Sequence, residues 1–149
     1  MIHHQFDLPR QPGTYTLFLR LETPISLSIR TLAAPTLAPG WIAYVGSAHG
    51  PGGLHARITR HLRPDKPRHW HIDALTGAIP VRALWWTVSP ERLECNWAEA
   101  IRTFPGSRVP VPRFGASDCH CPAHLFTVER DTLPDLWHRL DSPAWVDLL

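Results

Sequence analysis

The stretch YVGSAHGPGGLHARITRHL, residues 44–62, passes from a strand through a turn into a helix. The overlapping run WIAYVG (41–46) is apolar throughout, as is typical of a strand that is buried on both faces. The three glycines of SAHGPGG (47–53) permit the backbone conformations of a sharp turn. From Leu54 an apolar residue recurs at every fourth position, which predicts a helix with one buried face that ends before Pro64.

The segments on either side of this stretch carry further strand and helix patterns. GTYTLFLRL (13–21) alternates in the β manner, and Phe18 on its second face indicates that both faces are covered. SPERLECNWAEAIRTF (89–104) begins with Ser, Pro and Glu, which favour the first turn of a helix. Further strands are predicted at 25–29, 81–88 and 125–129, and further helices at 68–77 and 131–140. This order of elements predicts an α+β fold rather than a regular βαβ repeat.

Length and composition predict a single globular domain over residues 1–149. The chain is long enough to bury its own core, and 44% hydrophobic residues with seven tryptophans argue against disorder. No apolar run reaches the roughly 18–20 residues that span a bilayer, so we expect no membrane association. Residues 1–13 lack the order of a secretory signal. Three cysteines cannot all form internal disulfides, so we expect reduced thiols and a cytoplasmic location.

Positive charge is concentrated in one segment. The formal net charge of +2 says little about nucleic acid by itself. Between His55 and His71, however, the basic residues outnumber the single acid, Asp65. These candidate contacts for a nucleic-acid backbone are Arg57, Arg60, Arg63, Lys66 and Arg68.

Five side chains could carry phosphate chemistry, although each has a plainer interpretation. Tyr15 and Tyr44 lie at the ends of predicted strands, where a tyrosine often packs in the core with its hydroxyl towards solvent. Arg57 and His61 lie one helical turn apart. Either both are simply solvated, or Arg57 binds a phosphate through its guanidinium and His61 beside it transfers a proton. Glu94 is either a solvated flank of its helix or an oxygen ligand for Mg²⁺.

Taken in chain order, these residues resemble the motifs of the GIY-YIG nuclease superfamily. The first motif is GTY (13–15) and the second is YVG (44–46), so the tyrosines and glycines are kept. Four longer stretches resemble one branch, a small domain that also occurs fused to endonuclease III-type glycosylases in some archaea. These stretches are YVGSAHGPGGLHARITRHL, HWHIDAL, LECNWA and FGASDCHCPAHLF, and with the first motif they span about residues 13–126.

The resemblance implies a small, mainly antiparallel three-stranded sheet flanked by helices, with a domain core of about residues 13–129. The segment ISLSIRTLAAPTLAPG (25–40) would be an inserted hairpin or loop, and a short strand and a helix would complete the C-terminal part. The implied reaction is phosphodiester hydrolysis assisted by one divalent metal, Mg²⁺ or Mn²⁺, with Glu94 as its ligand.

The resemblance also implies a role for each of the other four residues. Arg57 would neutralise the pentavalent phosphate, and Tyr15 would take the proton of the attacking water. Tyr44 would position that water and His61 would assist. Because a tyrosine with a pKa near 10 is a poor base at neutral pH, a metal or Arg57 must lower the pKa of Tyr15.

Roles are harder to assign in the branch-specific stretches. His69 and His71 are candidate substrate contacts, but on a helix they would point in different directions. Packing beside Trp70 or local hydrogen bonding is their plainer interpretation. Asp73 could pair with His69 across one helical turn. Arg113 would contact either a phosphate or water.

The segment FGASDCHCPAH (114–124) contains residue types that bind metals. Cys119, Cys121 and His124 are such types, but their C-x-C-x₂-H spacing is not a common zinc spacing and a fourth ligand is not obvious. A thiol pair in a tight loop is the alternative. Asp118 is a candidate substrate-binding residue, in the place where other members of the superfamily have an Asn.

Three functions are compatible with these patterns. The first is a divalent-metal-dependent endonuclease acting on DNA, with structure preference and a role in repair as further expectations. The second is a nucleic-acid-binding module that uses residues 57–68 and cleaves weakly or not at all. The third is an interaction domain stabilised by zinc at residues 118–124. Because the catalytic set is complete, we expect the endonuclease, with a partner protein or homodimerisation as candidate means of targeting.

Overall fold

The computed structural model describes residues 7–116 and 119–148, and its centre is a five-stranded antiparallel sheet. In chain order the strands are β1 (Gly13–Leu21), β2 (Ile25–Ser26), β3 (Thr36–Leu37), β4 (Gly40–Ala48), β5 (Val81–Val88), β6 (Leu125–Val128) and β7 (Ala144–Asp147). The helices are α1 (Gly53–Leu62), α2 (Asp73–Thr76), α3 (Glu94–Arg102) and α4 (Leu133–Arg139). The α+β prediction is therefore confirmed.

Strand β1 lies in the middle of the sheet, whose order is β6-β4-β1-β5-β7. It pairs with β4 on one side and with β5 on the other. Its side chains alternate between two cores, with Leu17 and Leu19 in one and Phe18 in the other. The prediction that this strand is covered on both faces is confirmed, and the start of β1, which carries Tyr15, is held between β4 and β5.

Helices cover both faces of the sheet. On the face of Leu17, the core includes apolar residues of α1, α2 and the segment around β2 and β3; they include Leu54, Ile58, Leu75, Leu27 and Leu37. On the face of Phe18, the core includes apolar residues of α3 and α4; they are Trp97, Ala98, Ile101 and Leu136. The short β2–β3 hairpin confirms the predicted insertion between β1 and β4.

The sheet is larger than the three strands expected. Strand β6 pairs with β4 and strand β7 pairs with β5, so neither β4 nor β5 is an edge strand. Both are rich in apolar residues, and an exposed apolar edge would be prone to pair with another chain. Strand β7 was not predicted because it is short and buries only Val146.

Helices α2 and α3 each begin five residues later than the sequence predicted, and α4 begins two residues later. Helix α2 begins at Asp73, whose carboxylate accepts the backbone N–H groups of His69 and Trp70 at 2.7 and 2.9 Å. Asp73 therefore bonds the backbone of His69 and not its side chain. Helix α3 begins at Glu94 because the Ser89 hydroxyl accepts the N–H of Glu91 and closes a separate turn.

Within the described ranges, no helix has the length and apolar character that crossing a membrane requires.

Candidate active site

All five side chains predicted to act together line one cleft of about 470 Å³. They come from four elements: Tyr15 from β1, Tyr44 from β4, Arg57 and His61 from α1, and Glu94 from the start of α3. The two strands are hydrogen-bonded neighbours, and α1 packs against both. Motifs that are far apart in the sequence thus lie together in a single site.

A glycine on β4 makes room for the Tyr15 ring. Gly46 is the register partner of Tyr15 in the β1–β4 ladder. A Cβ atom at position 46 would lie 2.3 Å from both the Tyr15 hydroxyl oxygen and Cζ of its ring. The glycine of the YVG motif therefore allows the Tyr15 side chain to lie across β4 towards α1.

Tyr15 and His61 form a buried hydrogen-bonded pair. The Tyr15 hydroxyl lies 2.7 Å from Nε2 of His61, and both residues are only 1% exposed. Burial lowers the pKa of His61 to about 3, so the ring is neutral at neutral pH. When the Tyr15 hydroxyl donates, Nε2 is the acceptor and the ring proton is on Nδ1, which has no hydrogen-bond partner within residues 7–116 and 119–148.

Burial makes both tyrosines weaker acids than free tyrosine. Desolvation raises the pKa of Tyr15 well above its usual value, and the nearby charge of Arg57 offsets only part of this increase. Burial likewise raises the pKa of Tyr44. The sequence-based requirement that Arg57 lower the pKa of Tyr15 is therefore not met by the protein alone. Both hydroxyls are protonated and can donate a hydrogen bond or relay a proton.

Arg57 is held in a fixed position at the cleft. Its Nη1 donates to the carbonyl oxygen of Ser47 at 2.9 Å. Its guanidinium carbon lies 4.3 Å from the centroid of the Trp70 ring, a cation–π distance. A guanidinium has five N–H groups, so donors remain for an anion in the cleft.

Glu94 is the cleft carboxylate at the first residue of α3. Its side chain is 27% exposed, and its Oε2 lies 3.4 Å from Nδ1 of the buried His124. Mg²⁺ takes one or two protein carboxylates and completes its shell with water and phosphate oxygens. An accessible carboxylate in a polar cleft fits that requirement.

Two of the basic residues predicted to bind substrate have structural partners. Arg60 forms a two-pronged pair with Asp73, at 2.9 and 3.0 Å, and also donates to the carbonyl of Pro67. Lys66 donates to the carbonyl oxygens of His61 and Arg63 at the end of α1, where a cation is favourable. Arg63 and Arg68 are exposed.

The two histidines of HWHIDAL differ in role. His69 is exposed, and its ring lies 4.7 Å from that of Trp70, which agrees with the alternative that it packs beside Trp70. His71 makes long-range contacts: Nδ1 accepts the N–H of Gly115 at 2.9 Å, and Nε2 lies 3.3 Å from the Thr31 hydroxyl. His71 therefore connects the segments of Thr31 and Gly115. Asp118, the other candidate substrate-binding residue of this region, lies outside the described residues.

Arg113 organises the loop that follows it. Its guanidinium donates to the carbonyl oxygens of Ala116, Cys119 and Cys121. The guanidinium is engaged by carbonyls of its own loop, and a phosphate contact at Arg113 stays a prediction.

The three cysteines and one histidine lie together at the wall of the cleft. One ligand atom from each of Cys95, Cys119, Cys121 and His124 lies within 4.8 Å of all the others. Cys95, the fourth member, was missed because it lies on another element, although it directly follows Glu94 in LECNWA. The cluster could hold a metal ion, and so many cysteines are not typical of Mg²⁺.

Comparison with known proteins places the chain in one family. Residues 14–141 match the family model described as "Domain of unknown function DUF123". The chain belongs to this family. No curated protein and no solved structure matches the chain. Every residue of the candidate site lies within the part that matches the DUF123 family, whereas β7 lies beyond it.

Two further cleft residues of this DUF123 domain were not predicted. Arg92 lines the cleft from the turn before α3. His49 lines it from the turn before α1, with Nδ1 2.7 Å from the Ser47 hydroxyl and a buried Nε2 that has no hydrogen-bond partner in the described part of the chain. Both lie in turns without periodicity, so no sequence pattern indicated them.

A larger cavity, of about 720 Å³, is lined by none of the predicted site residues that the structure describes. It is lined on the Phe18 face of the sheet by tryptophans and arginines, among them Trp41, Trp85, Arg20 and Arg82. Titratable groups that could transfer protons converge in the smaller cleft instead, which is therefore the candidate active site of the DUF123 domain.

Proposed function

We propose that the cleft is the active site of a GIY-YIG-type, divalent-metal-dependent endonuclease that hydrolyses phosphodiester bonds in DNA. The observation that carries the proposal is the convergence of Tyr15, Tyr44, Arg57, His61 and Glu94 from four elements. The resemblance of GTY and YVG to the GIY-YIG motifs supports the reaction class.

In this proposal Arg57 binds the reacting phosphate. Its guanidinium is held by the Ser47 carbonyl and the Trp70 ring, so it does not need to be ordered when substrate binds. A fixed cation stabilises the negative charge that develops on phosphorus oxygens in the transition state. Arg92 is a second cation at the rim of the same cleft.

Tyr15 and His61 act together on the attacking water. The Tyr15 hydroxyl accepts the proton of the water while its own proton passes to Nε2 of His61, 2.7 Å away. This relay avoids a free tyrosinate, which burial disfavours. A bound phosphate places negative charge near His61 and raises its proton affinity. Tyr44 holds the water through its hydroxyl.

Glu94 would hold Mg²⁺ or Mn²⁺, and such an ion supplies charge stabilisation for the leaving oxygen. The carboxylate is accessible from the cleft. Its position at the start of α3 adds a favourable interaction between the carboxylate and the helix dipole.

The test compares Glu94→Gln with Glu99→Gln, a matched control on the same helix that forms an exposed pair with Arg102. Labelled single-stranded, duplex, flap and four-way-junction DNA and matched RNAs are incubated with Mg²⁺, Mn²⁺ or EDTA. We expect metal-dependent cleavage of DNA by the wild type and by Glu99→Gln. The rate of cleavage by Glu94→Gln should be at least about 10²-fold lower, as is typical when a group that stabilises transition-state charge is removed.

The second candidate is a module that binds nucleic acid without cleaving it. The raised pKa of both tyrosines favours this alternative, because both hydroxyls stay protonated and neither supplies a tyrosinate as the base. Equal, salt-sensitive DNA binding by all three proteins, with no cleavage by any of them under any metal condition, would replace the endonuclease with the binding module.

A further inference from the structure

The cluster of three cysteines and one histidine lies beside the cleft and has no part in the proposed chemistry. Cys95 comes from the first turn of α3, while Cys119, Cys121 and His124 come from the loop before β6. The geometry points to a structural zinc site formed by these four residues, which links α3 to that loop. The assignment of the metal does not depend on the proposed nuclease activity.

The four donor atoms lie within 4.8 Å of one another, near enough to converge on one ion. With Zn–S bonds of about 2.3 Å and Zn–N bonds of about 2.0 Å, neighbouring donors lie roughly 3.3–3.8 Å apart. Nε2 of His124 lies 3.3 Å from Sγ of Cys119. Sγ of Cys121 lies 2.9 Å from Sγ of Cys95, well beyond the covalent S–S length of about 2.05 Å. An ion at the centre would require these two sulfurs to separate by less than about 1 Å.

The chemical types of the four ligands favour zinc over Mg²⁺. Thiolates are soft ligands that prefer zinc, whereas Mg²⁺ prefers carboxylate, carbonyl and water oxygens. Three cysteines and one histidine complete four-coordinate zinc, which leaves no open position for a substrate. The site is therefore structural, and it is chemically distinct from the metal proposed at Glu94.

His124 supplies a second observation. It is 1% exposed, and its Nδ1 has no hydrogen-bond partner among the residues that the structure describes, while it faces the Glu94 carboxylate at 3.4 Å. Binding of zinc through Nε2 would fix the ring proton on Nδ1 and direct it to Glu94. A carboxylate behind a zinc-bound histidine is the common arrangement at such sites, and it orients the ring.

Arg113 prepares the loop for the metal. Its guanidinium holds the backbone carbonyls of Cys119 and Cys121, the two ligands that are separated by a single residue. The Arg113 N–H also donates to the carbonyl of Pro122. Ligands that are positioned by the fold lose less conformational entropy when they bind an ion.

A zinc ion that links α3 to the loop before β6 would have one consequence for the cleft. Zinc would fix the start of α3 to the loop, and the contact from His124 would hold the Glu94 side chain in position. Glu94 is then a positioning residue for His124 in addition to its proposed role, and only that proposed role rests on the nuclease activity.

The experiment measures zinc in tag-free protein purified under reducing conditions. We expect one zinc per chain by elemental analysis and three thiols that react with an alkylating agent only after chelation. Replacement by Co²⁺ should give sulfur-to-cobalt charge-transfer bands and the intense visible bands of tetrahedral cobalt.

Substitutions then assign the ligands. Cys95→Ser and Cys121→Ser should lose stoichiometric zinc, whereas His120→Ala, an exposed residue between two of the ligands, should retain it. Glu94→Gln should keep the stoichiometry but bind zinc about 10–100-fold more weakly, as expected for an outer-shell carboxylate. The wild-type zinc content and cobalt spectrum keep the test valid if a serine variant fails to fold.

Three outcomes would overturn the assignment. They are wild-type protein without zinc and with three reactive thiols, a Cys95–Cys121 disulfide in place of metal, and unchanged zinc in folded Cys121→Ser. Zinc without DNA cleavage would refute only the proposed function, and cleavage without zinc would refute only this site.

Discussion

Gly46 shows how one atom decides the geometry of the candidate site. The position opposite Tyr15 on β4 has no side chain, and the tyrosine ring occupies the space that a Cβ would need. The hydroxyl can therefore reach Nε2 of His61 on α1. The glycine is required for the position of its neighbour and not for its own conformation.

Gly46→Ala should displace the Tyr15 ring, because the new methyl would lie 2.3 Å from it. We expect a loss of about 1–3 kcal/mol in the free energy of unfolding from overpacking. Cleavage should fall about 10²-fold, the typical cost of a 1 Å displacement in an active site. Chemical denaturation and the cleavage assay measure the two effects.

Gly50→Ala is the matched control, because a Cβ there would meet only the end of the Arg57 side chain at 3.9 Å. Equal stability and equal cleavage in the two variants would show that Tyr15 does not depend on the space at position 46.

Single residues also show where sequence reasoning reached its limit. Tyr15, Tyr44, Arg57, His61 and Glu94 were predicted, because their types and order match known motifs. Arg60 and Arg113 were predicted to bind substrate, yet their guanidinium groups bind Asp73 and loop carbonyls. A cation that is free and one that is already paired look the same in a sequence, because their partners come from elsewhere in the chain.

At the scale of elements, local periodicity was informative where a strand or helix buries a continuous apolar face. The pattern beginning at Leu54 predicted α1, and VRALWWTV was predicted with the bounds that β5 has. The start of α3 was wrong, because Ser89 bonds Glu91 in a turn of its own. Strand β7 was not predicted, because its short sequence has no strand pattern of its own and its extended conformation depends on pairing with β5.

Removal of residues 142–149 should destabilise the protein, because β5 would become an edge strand and lose the buried Val146. We expect the free energy of unfolding to fall by roughly 2–4 kcal/mol through lost burial and lost ladder hydrogen bonds. The apolar edge of β5 should also promote aggregation. Urea denaturation and light scattering measure these changes.

The control for this truncation is Trp145→Ala in the full chain. Trp145 is 59% exposed, so its removal should cost about 1 kcal/mol at most. Unchanged stability of the truncated chain would mean that β7 contributes nothing to the sheet.

At the scale of the whole molecule, burial of His61 couples the candidate site to global stability. The ring lies between β1 and α1, and desolvation lowers its pKa to about 3. The unfolded chain binds a proton at this histidine near pH 6.5, whereas the folded protein does not. The stabilisation is therefore complete above pH 6.5 and is lost as the pH falls towards 3.

We expect the free energy of unfolding to fall by about 2 kcal/mol between pH 7 and pH 5 from this group alone. His61→Gln, whose amide can still bond the Tyr15 hydroxyl, should lack that contribution. Urea denaturation at several pH values gives the difference between the two proteins, in which contributions shared by both cancel. Parallel stability curves would show that His61 is not neutral and buried as described.

The sequence by itself determined the α+β class, the main strands and helices, and the five residues that line the cleft. The class and the elements follow from periodicity between near neighbours in the chain, and the five residues follow from the resemblance of their motifs to the GIY-YIG superfamily. The tertiary structure decided the five-stranded sheet, the raised tyrosine pKa values and the internal pairing of Arg60, Lys66 and Arg113. It also brought Cys95 to Cys121, 26 positions apart, and Tyr15 to His61, 46 positions apart. Desolvation and pairing depend on which distant segments pack together, and local sequence patterns do not carry that information.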